Sequence, residues 1–210
     1  MLTYHKIGKN GRFGNQLFQI AATIGIALSC GDTYGFAKWD YQDYFINKLP
    51  KVEKNAESLN GYLQDYRYFD QEDVKKYFAM RPIAEPLNKV FIHFRAYSDE
   101  GVEQIHPEQT RDYYIKAIKH FEGSEFVVFS DNVDKAKDVV GADCEYICND
   151  EMQDFYQMTT CKGAIISNSS YAWWGAYLCG GKVVAPANWF GGRKKDKKTD
   201  GYYLPGWTVL

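Results

Sequence analysis

The chain has 210 residues, enough for one sizeable core or two small ones sharing an interface. Aromatic residues make up 17% of it and 17 residues are tyrosine, which excludes a disordered chain. A formal net charge of −2 leaves no global basic footprint, which argues against a nucleic-acid binder that works by phosphate neutralisation.

Leu2–Ile7 reads as a strand, followed by a glycine-rich turn and a helix over Asn15–Cys30. That helix is apolar nearly all round, which predicts burial rather than an amphipathic surface position. Its apolar stretch, Leu17–Leu28, is well short of the roughly 20 residues a spanning helix needs. Met1–Gly14 is polar and does not read as a signal peptide. Thr33–Phe36 reads as a second strand, Pro50–Asn60 as a loop and Gln71–Phe78 as a short helix. Pro82 and Pro86 bracket Ile83–Glu85, the expected linker between two lobes.

From Val90 the pattern becomes regular. Strand-sized runs rich in Val, Ile and Phe occur at Val90–Phe94, Phe126–Phe129, Cys144–Ile147, Ala164–Ser167 and Val183–Ala185. Helix-sized segments lie between them, at Arg111–Phe121, Glu151–Cys161 and Tyr171–Cys179. The last stops at Gly180-Gly181, a good helix terminator. Alternating strands and helices predict a parallel sheet with helices on both faces. The five cysteines are scattered, and Cys144 and Cys148 have no second pair to complete a zinc site. They read as buried, reduced thiols.

Four segments carry possible chemistry. Gly8-x-x-Gly11-Arg12-Phe13-Gly14-Asn15-Gln16 joins a strand to a helix. It is either a tight turn or a place where backbone approaches a ligand near a helix N-terminus. It is neither a dinucleotide fingerprint nor a P-loop. His93-Phe94-Arg95 ends a strand, with His93 and Arg95 on one face. A guanidinium there suits phosphate oxygens, and an ion-paired Arg with a core His is the plainer reading. Phe129-Ser130-Asp131-Asn132 also ends a strand, and either caps the next helix or accepts from a nucleobase edge. Ser167-Asn168-Ser169-Ser170 precedes Tyr171-Ala172-Trp173-Trp174-Gly175, giving hydroxyls and an amide at a helix start. Asn168-Ser169-Ser170 fits a glycosylation sequon, but the stretch reads as buried. The last three segments can converge on one crevice outside the strand ends.

Together with Leu59-Asn60-Gly61-Tyr62-Leu63-Gln64, Tyr68-Phe69, His106-Pro107, Tyr113-Tyr114 and Pro186-Ala187-Asn188-Trp189, these segments resemble the alpha-1,2-fucosyltransferases, glycosyltransferase family 11. The stretch from Ile165 to Leu178 is the most specific. The resemblance implies an α/β, GT-B-like fold: two Rossmann-like lobes with parallel sheets, a reduced N-terminal lobe and the active site in the cleft. The expected boundaries are residues 1–82 for the acceptor lobe and 83–185 for the GDP-sugar donor lobe. Residues 186–210 are expected as a tail packing back on the first lobe.

The implied reaction is inverting and metal-independent, with no cofactor. A hydroxyl of an oligosaccharide acceptor takes L-fucose from GDP-fucose in an alpha-1,2 bond. The implied catalytic residues are Arg95, His93 and Asp99. The implied donor-binding residues are Gly14, Asn15, Gln16, Arg95, Ser130, Asp131, Asn168, Ser169 and Ser170. Arg95 would stabilise the leaving diphosphate, helped by Ser169 and Ser170. His93 would orient phosphate or ribose, and Asp131 would read the guanine edge. Where the family has Arg-Gly-Asp after His-x-Arg, this chain has Ala96-Tyr97-Ser98 and then Asp99. That departure motivates a rival reading, a degenerate GDP-sugar-binding protein. Another is a transferase with a different donor, such as GDP-mannose or a UDP-sugar. The resemblance points to the members that work in the cytoplasm, with no nucleic-acid or membrane partner. The basic run Arg193-Lys194-Lys195-Asp196-Lys197-Lys198 reads as a solvated loop or as a flap over the donor phosphates.

Overall fold

The structure is a computed structural model that describes residues 1–69, 71–97 and 105–210. The chain divides into two compact units, Met1–Pro82 with Asp200–Tyr202, and Ile83–Thr199 with Tyr203–Leu210.

The first unit has a two-stranded parallel sheet of β1 (Leu2–Thr3) and β2 (Glu57–Ser58). The strand expected over Leu2–Ile7 ends at Thr3, because the chain turns at His5 and Gly8 adopts a φ of +75°. Thr33–Phe36 contributes isolated bridges rather than a strand, and β2 lies where a loop was expected. Helix α1 (Phe13–Ser29) is buried on most sides, as its all-round apolarity requires. Gly25 lets it approach another backbone segment: a Cβ there would lie 2.0 Å from the Tyr68 carbonyl oxygen. Rings fill much of the rest. Trp39 stacks on Phe45 at 5.2 Å, and Phe45 meets Phe78 edge-on at 5.9 Å. Helix α2 (Gln71–Tyr77) follows.

The second unit is a six-stranded, wholly parallel sheet. Its strands are β3 (Val90–Phe94), β4 (Phe126–Ser130), β5 (Glu145–Ile147), β6 (Gly163–Ile165), β7 (Lys182–Ala185) and β8 (Thr208–Val209), in the spatial order β5-β4-β3-β6-β7-β8. Counted from β3 as first, this is the dinucleotide-binding order 3-2-1-4-5-6. Helices α3 (Arg111–Ile118), α4 (Val133–Val140), α5 (Glu151–Thr159) and α6 (Ser170–Cys179) connect the strands. Side-chain alternation along β3 divides them between faces. Val90, Ile92 and Phe94 pack with Tyr114 and Ala117 of α3 and Ala136 and Val140 of α4. Phe91 points the other way, toward α6: a Cβ on Gly175 would lie 3.5 Å from its ring and 3.1 Å from Met158 of α5.

Two elements were not anticipated in the sequence. Helix α4 follows Asn132, whose side chain caps it by accepting from the Lys135 N–H at 3.0 Å. Strand β8 adds to β7, so part of the tail completes the second unit's sheet. Only Asp200–Tyr202 belongs to the first unit, where the Tyr202 hydroxyl donates to Gln64 at 2.8 Å. Among the described residues no helix is long and apolar enough to cross a membrane. All five cysteines are free, but Cys161 alone is fully buried, while Cys30 and Cys148 are exposed.

Candidate active site

In the second unit the strand order reverses between β3 and β6, and in open parallel sheets ligands bind outside the carboxyl ends of the strands at such a break. His93 and Ser167 meet there, with Nδ1 2.8 Å from Oγ. His93 is buried, and desolvation, reinforced by the Arg95 charge, lowers its pKa to about 3. It is therefore a neutral imidazole at ordinary pH. Its Nδ1 is engaged by the Ser167 hydroxyl. The Tyr114 hydroxyl, from α3, donates to the His93 carbonyl at 3.0 Å and holds the strand end in place.

Arg95 lies just beyond β3 and pairs with Asp131 at the end of β4, Nη1 to Oδ2 at 2.7 Å. The other carboxylate oxygen accepts the Ala96 N–H at 2.9 Å. Both Asp131 oxygens are thus engaged within the protein, one by Arg95 and one by the Ala96 backbone. The Ser130 hydroxyl donates to the Asn132 carbonyl and accepts the Asn132 N–H, both at 3.0 Å. This is the local turn that leads into the α4 cap.

The third wall is the loop from β6 into α6. The Tyr113 hydroxyl, also from α3, donates to the Ile166 carbonyl at 2.7 Å. Asn168 is 2% exposed, which also disposes of the sequon. Its Nδ2 donates to the Trp189 carbonyl at 3.0 Å, while its Oδ1 is buried without a partner. Ser169 is the N-cap of α6 yet makes no side-chain capping bond. The first N–H groups of α6 therefore lack a side-chain acceptor from their own cap, and the Ser169 and Ser170 side chains are only half buried. A positive helix end, two hydroxyls and a guanidinium thus lie past the carboxyl ends of two adjacent strands, groups of the kind that attract anions.

The residues of the first unit divide. Gln16 is 5% exposed; its Nε2 donates to the Gly11 carbonyl at 3.3 Å and its Oε1 accepts from Trp39 Nε1 at 2.8 Å. It is an amide buried in the core of the first unit. Gly14 is buried in the first turn of α1. Asn15 is half buried, and its Oδ1 accepts from Gln64, the residue that Tyr202 also holds. Asp99 lies outside the described residues. Sequence reasoning assigned no role to Tyr97, Tyr113 or Tyr114, whose hydroxyls tie the loops of the crevice to one another. The Tyr113-Tyr114 pair was the available signal. Of the basic run, Lys197 is not a freely solvated charge: its Nζ sits 4.5 Å over the Phe190 ring.

The family model for Glycosyl transferase family 11 matches residues 102–210, from the approach to α3 through β8. The chain belongs to glycosyl transferase family 11. Two curated Escherichia coli proteins are similar to it. The O-antigen biosynthesis glycosyltransferase WbnK is 30% identical over 74% of this chain and 62% of its own length. An alpha-1,2-colitosyltransferase is 28% identical over 70% of this chain and 61% of its own. This family 11 chain therefore spans a little under two thirds of those relatives. Among solved structures, the E. coli heptosyltransferase WaaC with ADP aligns over 100% of the chain and 92% of its own, with a TM-score of 0.54 at 9% identity. The likeness is one of fold, an α/β, GT-B-like fold with parallel sheets.

Proposed function

We propose that this family 11 chain is an inverting, metal-independent glycosyltransferase that moves L-fucose from GDP-fucose to a sugar hydroxyl in an alpha-1,2 linkage. What supports the reading is that Arg95 follows β3 while Ser169 and Ser170 open α6 after β6, so that they flank the carboxyl ends of the two adjacent parallel strands at the sheet's switch point. When the glycosidic bond breaks, negative charge develops on the departing diphosphate. A preorganised guanidinium and helix N–H groups stabilise that charge without rearranging. Asp131 orients Arg95, and His93 keeps Ser167 in register beside it. Asn168 Oδ1, a buried acceptor still lacking a donor, suits a hydroxyl or N–H of the nucleotide sugar.

Arg95→Ala is expected to lower kcat by about 10²-fold or more, the scale of removing one transition-state donor. A variant with near wild-type kcat sinks the assignment. Competition calorimetry with GDP, UDP and ADP checks the base, and UDP binding best would reject GDP-fucose as donor. The name of the second relative supports a second reading, in which the transferred sugar is colitose, the 3-deoxy counterpart of L-fucose. Turnover of the two donors with one acceptor panel separates the readings.

A further inference from the structure

Tyr97 stands directly after the segment that carries Arg95, and three contacts converge on it. Its hydroxyl donates to the Asn168 carbonyl at 2.8 Å. The Arg95 guanidinium lies over its ring, 5.9 Å from the centroid. His106 stacks on it at 5.5 Å with the planes 19° apart. His106 in turn packs on Phe190 at 5.3 Å. The side chain thus spans the switch point, leaving the end of β3 and bonding to the loop after β6.

Arg95 and the α6 N-terminus are carried by different strands, and a diphosphate must engage both at once. Asp131 fixes Arg95 only with respect to β4. Among the described residues, the side-chain bonds joining the β3 end to the loop after β6 are His93 to Ser167 and Tyr97 to Asn168. The second lies next to Arg95 in sequence and touches it in space. We propose that Tyr97 is a positioning residue that sets the separation between Arg95 and the α6 N-terminus, and so confers the preference for a diphosphate over a monophosphate. The inference rests on the donor reading above. Burial raises the Tyr97 phenol well above its ordinary pKa, so it remains a donor across the working range of pH.

The test is calorimetry on the full chain with GDP, UDP and ADP, each beside its monophosphate. In the wild type the diphosphate of the preferred base binds more tightly than the monophosphate. Tyr97→Phe keeps the ring and removes the bond. It is expected to weaken the diphosphate by about 3- to 10-fold, the scale of one hydrogen bond, and the monophosphate by less than about twofold. Tyr97→Leu, which also removes the stacking surface, weakens the diphosphate further. In an Arg95→Ala background Tyr97→Phe costs nothing more, because the group it positions is gone. Equal losses for both nucleotides, or a full loss persisting without Arg95, would mean a merely structural tyrosine and overturn the inference alone. A wild type that binds none of the three diphosphates overturns the donor reading and this inference with it. If Tyr97→Leu fails to fold, the Tyr97→Phe measurements decide.

Discussion

In the second unit six parallel strands share one backbone ladder, whereas the first unit has two strands of two residues each. The first unit hangs instead on the buried helix α1, a close backbone approach at Gly25 and a cluster of rings around Trp39. The difference governs where polar side chains end up. A parallel sheet satisfies its own backbone, so polar side chains at its strand ends bond mainly to one another, as Arg95 with Asp131 and His93 with Ser167 do. A unit with little ladder draws on side chains for that work, and Gln16 is absorbed into its core.

The comparison can be broken most readily at Gly25. Gly25→Ala places a Cβ against the Tyr68 carbonyl and is expected to destabilise by about 3 kcal/mol, visible as faster amide exchange in α1. Unchanged exchange would show that α1 is not held by close approach. A smaller effect sharpens the other side. In the unfolded chain His93 takes a proton near pH 6.5, while burial keeps it neutral in the folded chain down to about pH 3. Between those values the unfolded state binds more proton, so the stabilisation is whole above pH 6.5 and declines as pH falls. The slope is about 1.4 kcal/mol per pH unit. Urea unfolding at pH 5 and pH 7.5 should show the wild type losing about 2 kcal/mol that His93→Gln does not lose. An identical loss in both would place the proton elsewhere. The smallest effect is Asn132→Ala, which removes the α4 cap and is expected to cost about 1 kcal/mol in the same unfolding assay. No change would mean that the strand-end turn at Ser130 suffices alone.

The second unit was largely legible because its signals are local. Val90–Phe94 matches β3 to the residue, and the run into Gly180 marks the end of α6. Helix α4 is less visible, since it buries only Ala136 and Val140 of its eight residues. Strand β8 is two residues at a sheet edge, too short for any alternation to register. The positions of Arg95 just past a strand and of the Ser169-Ser170 pair at a helix start could be read from the sequence. The roles of Asp131, His93 and Gln16 could not, because each depends on a partner brought from a distant segment: Arg95, Ser167 and Trp39. The type of residue announces polarity, and only the fold says what answers it.

Strand β8 has a consequence for how the chain folds. Until residues 208–209 dock, β7 is the sheet's open edge, with the backbone of Val184 and Ala185 unpaired on that side. The first unit waits as well, since Asp200–Tyr202 fill part of it. A bare parallel edge is a template for another chain. Late docking or clipping of β8 keeps that template open, so association between copies should follow the state of β8 more than the stability of the rest of the sheet.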